Sequence, residues 1–452
     1  MAARGKGNLK GSARDRAVQV LREAVGSPPV RVTPRLAEAE RGLEARDRDL
    51  MRELVLGVLR WKAALDDEIA GVSRVPVPKL APRLLQILEV GLYQLRHLDR
   101  VPEYAAVSEA VAQARSSGGE GAARLVNGVL RGILLLPPPP LPAGKEGPDE
   151  GLSAALLSRR YSHPQFLVER WLERFGAERT RGILAADNRA SPLDLLANRR
   201  RTDREALARD LAASGVETRP SPLAPNALSV LRGNALRTSA FREGAFLVQD
   251  VGSQALPLLL PPGDVLVDAA AAPGGKSFAA VLSGRARRSL ALDASLPRLR
   301  RLDENRRRLG IREVAPVAAD VAAAPLPAGR FDRVLLDAPC SGTGTLRKSP
   351  EIRYRLTPAG IERLAASQEA WLKSAAALLA PGGFLLYATC SLEEEENERV
   401  VARVLANDAR LKLAAIDVDE FEGLRPYVAG SFFRLFPAAE TDGFTAHLIR
   451  RA

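Results

Sequence analysis

The chain has 452 residues, 46% apolar and 27% charged, the balance of a globular protein with room for roughly two or three cores. No run of about eighteen uncharged apolar residues occurs, so no membrane span is expected, and the basic, glycine-rich start lacks the apolar stretch of a secretory signal. The 66 Lys and Arg against 54 acids leave a net charge of +12, which favours a polyanionic partner such as nucleic acid, with a merely arginine-rich composition as the competing explanation. Three scattered histidines give no metal cluster, so no metal is expected. Two cysteines cannot form a disulfide framework and point to a reduced, cytoplasmic setting.

Helices come first along the chain. Leu50, Leu54, Val58, Trp61, Leu65 and Ile69 recur at three- and four-residue spacing, the apolar stripe of a helix. Pro82 opens a second helix with Leu84, Leu88, Leu92 and Leu95 on one side. Pro102 opens a third with a small-residue face of Ala106, Val107, Ala110, Val111 and Ala114, and 123–130 suggests a fourth. Residues 1–136 therefore read as an all-α bundle, in which nothing looks catalytic. The proline-rich stretch 137–150 reads as an extended linker, because proline fixes φ and removes a donor.

Between 151 and 245 the pattern is mixed. A helix runs from Pro164 through Trp171 and Phe175, a strand at 193–198 leads into Arg199-Arg200-Arg201, a helix covers 203–214, and short strands lie near Val230. This suits a small α+β unit that binds nucleic acid; a solvated arginine surface is the plainer alternative. From 246 to 452, strands at 265–269, 289–293, 314–318, 333–337 and 383–389 alternate with helices. That is the pattern of a doubly wound, Rossmann-like α/β domain.

Chemistry concentrates at the carboxyl ends of these strands, where open α/β sheets bind ligands. The first turn reads Ala269-Ala270-Ala271-Ala272-Pro273-Gly274-Gly275-Lys276-Ser277. Its small residues allow close backbone approach, and the following helix leaves N–H groups free. Gly275-Lys276-Ser277 resembles the tail of a phosphate-binding P-loop, but Ala270 stands where that loop needs glycine, so an adenosyl-cofactor turn fits better. Asp268, Asp293 and Asp320 end successive strands; Asp293 suits ribose hydroxyls and Asp320 an adenine amino group, although each is also the type of residue that caps a turn. The only two cysteines lie in Asp337-Ala338-Pro339-Cys340-Ser341-Gly342-Thr343-Gly344 and Thr389-Cys390-Ser391, at the fourth and fifth strand ends. In sheet order 3-2-1-4-5 these ends are neighbours, so both thiols face one pocket. A thiolate is the common side-chain nucleophile suited to adding to a pyrimidine ring. Burial as two apolar thiols is the alternative.

These motifs, with Glu396-Asn397-Glu398 and Thr441-Asp442-Gly443-Phe444, resemble the NOL1/NOP2/Sun family of RNA cytosine-5-methyltransferases. Glu53-Leu54-Val55-Leu56-Gly57-Val58-Leu59-Arg60 and Val126-Asn127-Gly128-Val129-Leu130-Arg131 are similar to the NusB-like domain of its Sun/Fmu-type small-subunit rRNA members. The resemblance implies methyl transfer from S-adenosylmethionine to carbon 5 of a cytosine in 16S rRNA. It assigns attack to Cys390, product release to Cys340, and cofactor contacts to Ala270, Ala271, Ala272, Pro273, Gly274, Gly275, Lys276, Asp293, Asp320 and Asp337; the adduct also needs proton help at ring nitrogen 3, which the Asp337 carboxyl is placed to give. The protein is expected to act on RNA as a monomer. Departures from the family are Ala270 and Ser277 for cysteine and threonine, Pro350-Glu351-Ile352-Arg353-Tyr354-Arg355 for an aromatic-rich stretch, and Thr445 for a second phenylalanine. A tRNA substrate, a non-catalytic NusB-like RNA-binding protein and a P-loop NTPase are the rival readings.

Overall fold

The computed structural model describes residues 11–26, 29–137 and 151–452; the basic start and all of the 137–150 linker except Pro137 lie outside them. The chain forms two compact units, Met1–Ala190 with Leu346–Leu356, and Ser191–Thr345 with Thr357–Ala452.

The first unit is helical: α1 (Ala13–Ala24), α2 (Val32–Ala39), α3 (Ala45–Val72), α4 (Pro82–His97), α5 (Glu103–Leu134), α6 (Ala154–Tyr161) and α7 (Gln165–Asp187). Ser12 and Asp15 exchange side-chain and backbone hydrogen bonds to cap α1, and Pro82 supplies the first turn of α4. The apolar stripe of α3 is the heart of the core, with Leu54, Val58, Leu65 and Ile69 essentially sealed from solvent against α1, α4 and α5. The helices expected at Pro102 and at 123–130 are one run, α5, broken only where Gly119 turns to φ +71°.

A stretch far downstream completes this unit. Arg353 donates to the carbonyls of Arg60 (2.8 Å), Tyr161 (3.2 Å), Ser162 (3.2 Å) and Asp187 (3.0 Å). Arg60 in turn donates to the Arg347 carbonyl at 2.9 Å, and the Tyr354 hydroxyl to that of Leu59 at 2.6 Å. Burial lowers the Arg353 guanidinium to about 10, with the nearby Asp187 carboxylate working in the opposite direction. The departure from the family at 350–355 is thus an anchor within the helical unit.

The second unit opens with β1 (Leu193–Ala197), α8 (Arg204–Ala213), β2 (Glu217–Pro220), β3 (Ala227–Arg232), α9 (Ser239–Arg242) and β4 (Phe246–Val248), whose strands form an antiparallel sheet in the order β2-β3-β1-β4. Next come α10 (Val251–Ala255), β5 (Gly263–Asp268), α11 (Gly275–Leu282), β6 (Ala286–Asp293), α12 (Leu296–Leu309), β7 (Val314–Ala318), β8 (Phe331–Asp337), α13 (Pro358–Ala377), β9 (Leu379–Thr389), α14 (Glu398–Ala406), β10 (Leu411–Leu413), β11 (Val428–Ala429), β12 (Phe432–Leu435) and β13 (Phe444–Arg451). Strands β7-β6-β5-β8-β9 are parallel in the expected 3-2-1-4-5 order. The sheet is mixed rather than purely parallel, because β13 adds antiparallel to β9 and carries β12 and β11 beyond it.

Alternation along the strands explains the layers. Leu266, Leu335 and Leu386 pack under α10 and α11, while their neighbours Val267, Leu336 and Leu385 pack under α13 and α14. No helix among the described residues is long and apolar enough to cross a membrane.

Candidate active site

The turn after β5 is shaped by a buried carboxylate. Asp268, the last residue of that strand, is sealed from solvent and accepts a hydrogen bond from Ser277 Oγ at 2.7 Å. Burial raises the Asp268 carboxyl to about 6, against the opposing pull of that hydrogen bond and of Lys276. Ser277 is itself fully buried and also bonded to Ser289 Oγ at 3.2 Å, so its hydroxyl is not available to a phosphate or its metal. That removes the P-loop reading. Gly274 takes φ +99°, a conformation that suits glycine, and α11 begins at Gly275 with its first N–H groups free.

Asp293 closes β6 beside this turn. Its carboxylate accepts from Ala272 N at 3.2 Å and Ser295 N at 2.8 Å, and pairs with Arg298 at 3.2 Å. The turn Ala270 to Lys276 and Asp293 therefore lie together at the ends of β5 and β6. Asp320 is exposed, two residues beyond the edge strand β7, and follows Ala319, whose N–H donates to Asp293 O at 3.3 Å; it caps a short turn through Ala322 N at 2.9 Å.

The other end of the turn faces β8. Lys276 Nζ lies 2.6 Å from Asp337 Oδ2. Burial works against the Lys276 charge, but Asp337, with Asp268 and Cys390 behind it, raises the ammonium above its ordinary value. The sequence had placed Lys276 in the cofactor turn and Asp337 at a strand end; their pairing required the strand order. Phe444 borders the same ammonium, its ring centroid 6.0 Å from Nζ.

Adjacent strand ends bring the thiols together. Asp337 is level with Ala388 across β8 and β9, and Cys340 Sγ lies 3.1 Å from Cys390 Sγ, both partly buried. The hydrogen bond to Cys390, then burial, then the negative charges of Glu396 and Asp337 hold the Cys340 thiol well above its ordinary pKa.

Two backbone hydrogen bonds lock the loops that carry the cysteines. Gly344 N donates to Cys390 O at 2.9 Å and Gly443 N to Gly344 O at 2.7 Å, while a Cβ on Gly344 would lie 2.4 Å from Gly443 O. The glycines of two motifs about a hundred residues apart thus meet main chain to main chain, which no larger residue permits. Thr445 Oγ1 donates to Ser391 O at 2.9 Å, giving that departure a structural part.

Glu396 was quoted in a motif without a role. Its carboxylate is buried, accepts from Ser341 N at 2.8 Å, Ser341 Oγ and Gln368 Nε2 at 3.0 Å, and so holds the residue next to Cys340. Burial raises its carboxyl above the usual value. Gln368 also donates to Pro339 O at 2.9 Å from the middle of α13, where nothing local in the sequence singles it out.

Known proteins agree with this organisation. The model of the 16S rRNA methyltransferase RsmB/F family matches residues 255–449, that of the NusB family 12–134, and that of an RsmF/B-like ferredoxin-like domain 163–237. A probable ribosomal RNA small subunit methyltransferase B of Bacillus subtilis (strain 168) is 32% identical over 89% of this chain and 90% of its own length; one of Synechocystis sp. is 33% identical over 91% and 92%. The crystal structure of PH0851 is similar with a TM-score of 0.75 and 26% identity over 98% of this chain and 100% of that one. A methyltransferase homolog protein from Pyrococcus horikoshii gives 0.55 and 27% over 67% and 100%. The cofactor is S-adenosylmethionine, as a methyltransferase of this family requires. With matched models on both sides of the linker and relatives aligned over most of its length, the chain belongs to the ribosomal RNA small subunit methyltransferase B family, within the RsmB/F methyltransferases.

Proposed function

We propose that this chain transfers a methyl group to carbon 5 of a cytosine in small-subunit rRNA through a covalent Cys390 adduct. The observation that carries the reading is the pair of thiols 3.1 Å apart beside the Lys276–Asp337 ion pair, next to the cofactor turn. The relatives' names supply the rRNA, and the net charge of +12 suits it. Residues 1–136 and 151–245 are assigned to holding RNA and 246–452 to the reaction, in the cytoplasm.

Carbon 5 of cytosine is a poor nucleophile. When Cys390 adds to carbon 6, the ring becomes an enamine with electron density at carbon 5. Negative charge then builds at ring nitrogen 3, where the proton shared by Lys276 and Asp337 is available. Ala270 to Lys276, Asp293, Asp320 and Asp337 would hold S-adenosylmethionine, whose sulfonium supplies an electrophilic methyl group. Product leaves when carbon 5 gives its proton to water, the Cys390–carbon 6 bond breaks with its electron pair returning to sulfur, and nitrogen 3 gives its proton back to the Lys276–Asp337 pair. The resemblance gives release of product to Cys340, whose sulfur lies 3.1 Å from that of Cys390.

Cys390→Ala should abolish methylation, and Cys340→Ala should accumulate an RNA–protein adduct that survives denaturation. Bisulfite mapping of rRNA and a denaturing gel read both outcomes. Near wild-type turnover in Cys390→Ala refutes the attack assignment; methylation of tRNA alone refutes the substrate.

A further inference from the structure

Gln249 follows β4 and immediately precedes the residue that caps α10. It is 7% exposed, yet neither Oε1 nor Nε2 of its amide has a hydrogen-bond partner. Its backbone is satisfied on both sides: the N–H donates to Asp194 O at 3.0 Å, and the carbonyl accepts from Gln254 Nε2 at 2.8 Å. The side chain alone is unmet. Buried amides rarely stay so, because an unmade hydrogen bond costs the full loss of hydration.

The amide is aimed at the cofactor turn. A Cβ built on Gly275 would stand 3.1 Å from both the amide carbon and Nε2 of Gln249, so the amide lies flat on the first residue of α11. The turn therefore faces two ways. Ala272 looks towards Asp293, at the strand end suited to a ribose; Gly275 and Lys276 look towards Gln249 and Asp337. Whatever extends from the ribose towards the thiols passes Gln249 and the free N–H groups of α11.

We propose that Gln249 binds the amino-acid end of the methyl donor. Nε2 donates to the α-carboxylate, which the positive end of α11 also attracts, and Oε1 accepts from the α-ammonium. A carboxamide offers one donor and one acceptor side by side, the neutral complement of a zwitterion. This inference rests on S-adenosylmethionine as the cofactor and adds a contact that the sequence motifs did not supply.

The test compares two ligands on the full chain. S-adenosylhomocysteine carries the amino-acid end without a transferable methyl group; 5′-methylthioadenosine keeps the adenosyl thioether and lacks that end. In Gln249→Leu the dissociation constant of S-adenosylhomocysteine should rise about tenfold to a hundredfold, the range for losing hydrogen bonds to charged groups. Gln249→Glu should weaken it at least as much, since a carboxylate repels the ligand's own. Binding of 5′-methylthioadenosine should stay within about twofold, which also shows that the site is still folded. Unchanged S-adenosylhomocysteine binding, equal weakening of both ligands, or a rise in RNA KM alone overturns the inference and leaves the cofactor reading standing. Failure of the unsubstituted chain to bind either ligand overturns both.

Discussion

Glu396 shows how a buried side chain outside the thiol pair holds the loop that carries one of the two thiols. Its carboxylate accepts hydrogen bonds from Ser341, Gln368 and Ser391, so every partner is a donor. Replacing it with glutamine puts an amide N–H₂ among those donors, and at least one buried group must lose its partner, at a cost of about 1–3 kcal/mol. Cys340, adjacent to Ser341, would then sample positions away from Cys390. Glu396→Gln should slow product release about tenfold while leaving adduct formation intact. A trapped RNA–protein species, weaker than that of Cys340→Ala, is the expected sign on a denaturing gel. Loss of adduct formation instead would give Glu396 a part in attack. The Glu396 contacts were hidden from the sequence because their partners lie on different elements. Cys340, Cys390, Asp337 and the small-residue turn were legible, since their chemistry is carried by residue type and their place by strand ends.

At the scale of elements, the stretch Leu346–Leu356 is the part of the fold furthest from what its composition suggests. Pro350-Glu351-Ile352-Arg353-Tyr354-Arg355 stands where the family has an aromatic-rich stretch, and in it Arg353 is 4% exposed and ties together carbonyls of α3, α7 and the end of α6. Nothing local marks such an anchor, because its partners are main-chain oxygens distant in sequence. The parallel strands, by contrast, were visible as short apolar runs between turn residues, and their order is that of a doubly wound fold. The start of β9 was placed late, since Pro381-Gly382-Gly383 looks like a turn; here it sits inside the strand, where pairing with β8 shifts register. Replacing Arg353 with methionine keeps much of its volume and removes every donor. Four carbonyls then stay buried with fewer partners, and destabilisation of about 3–5 kcal/mol is expected for such a network. Urea unfolding of the full chain, followed by far-ultraviolet circular dichroism, should show an early helical transition in Arg353→Met. A single unshifted transition would mean that solvent replaces the guanidinium without cost. The stretch begins six residues after Cys340, so methylation should fall in the same variant.

At the scale of the whole molecule, charge separates the two ligands. A net charge of +12 is spread through a chain whose motif residues for the cofactor are mostly small and uncharged. RNA binding displaces counterions from phosphates, and its affinity should fall steeply with salt, by about tenfold or more between roughly 50 and 200 mM for even a few phosphate contacts. S-adenosylhomocysteine is zwitterionic and displaces no such atmosphere, and the turn proposed to hold it, Ala270 to Gly275, is buried or half-buried except at Pro273. Ions screen exposed charges across about 8–10 Å but act far less within such a site. Its dissociation constant should therefore stay within about twofold across the same range. Titrating both ligands against the same preparation makes the comparison internal. Parallel loss of both with salt would show that the protein itself loosens, and a flat response of RNA would make the positive charge a feature of composition rather than of recognition.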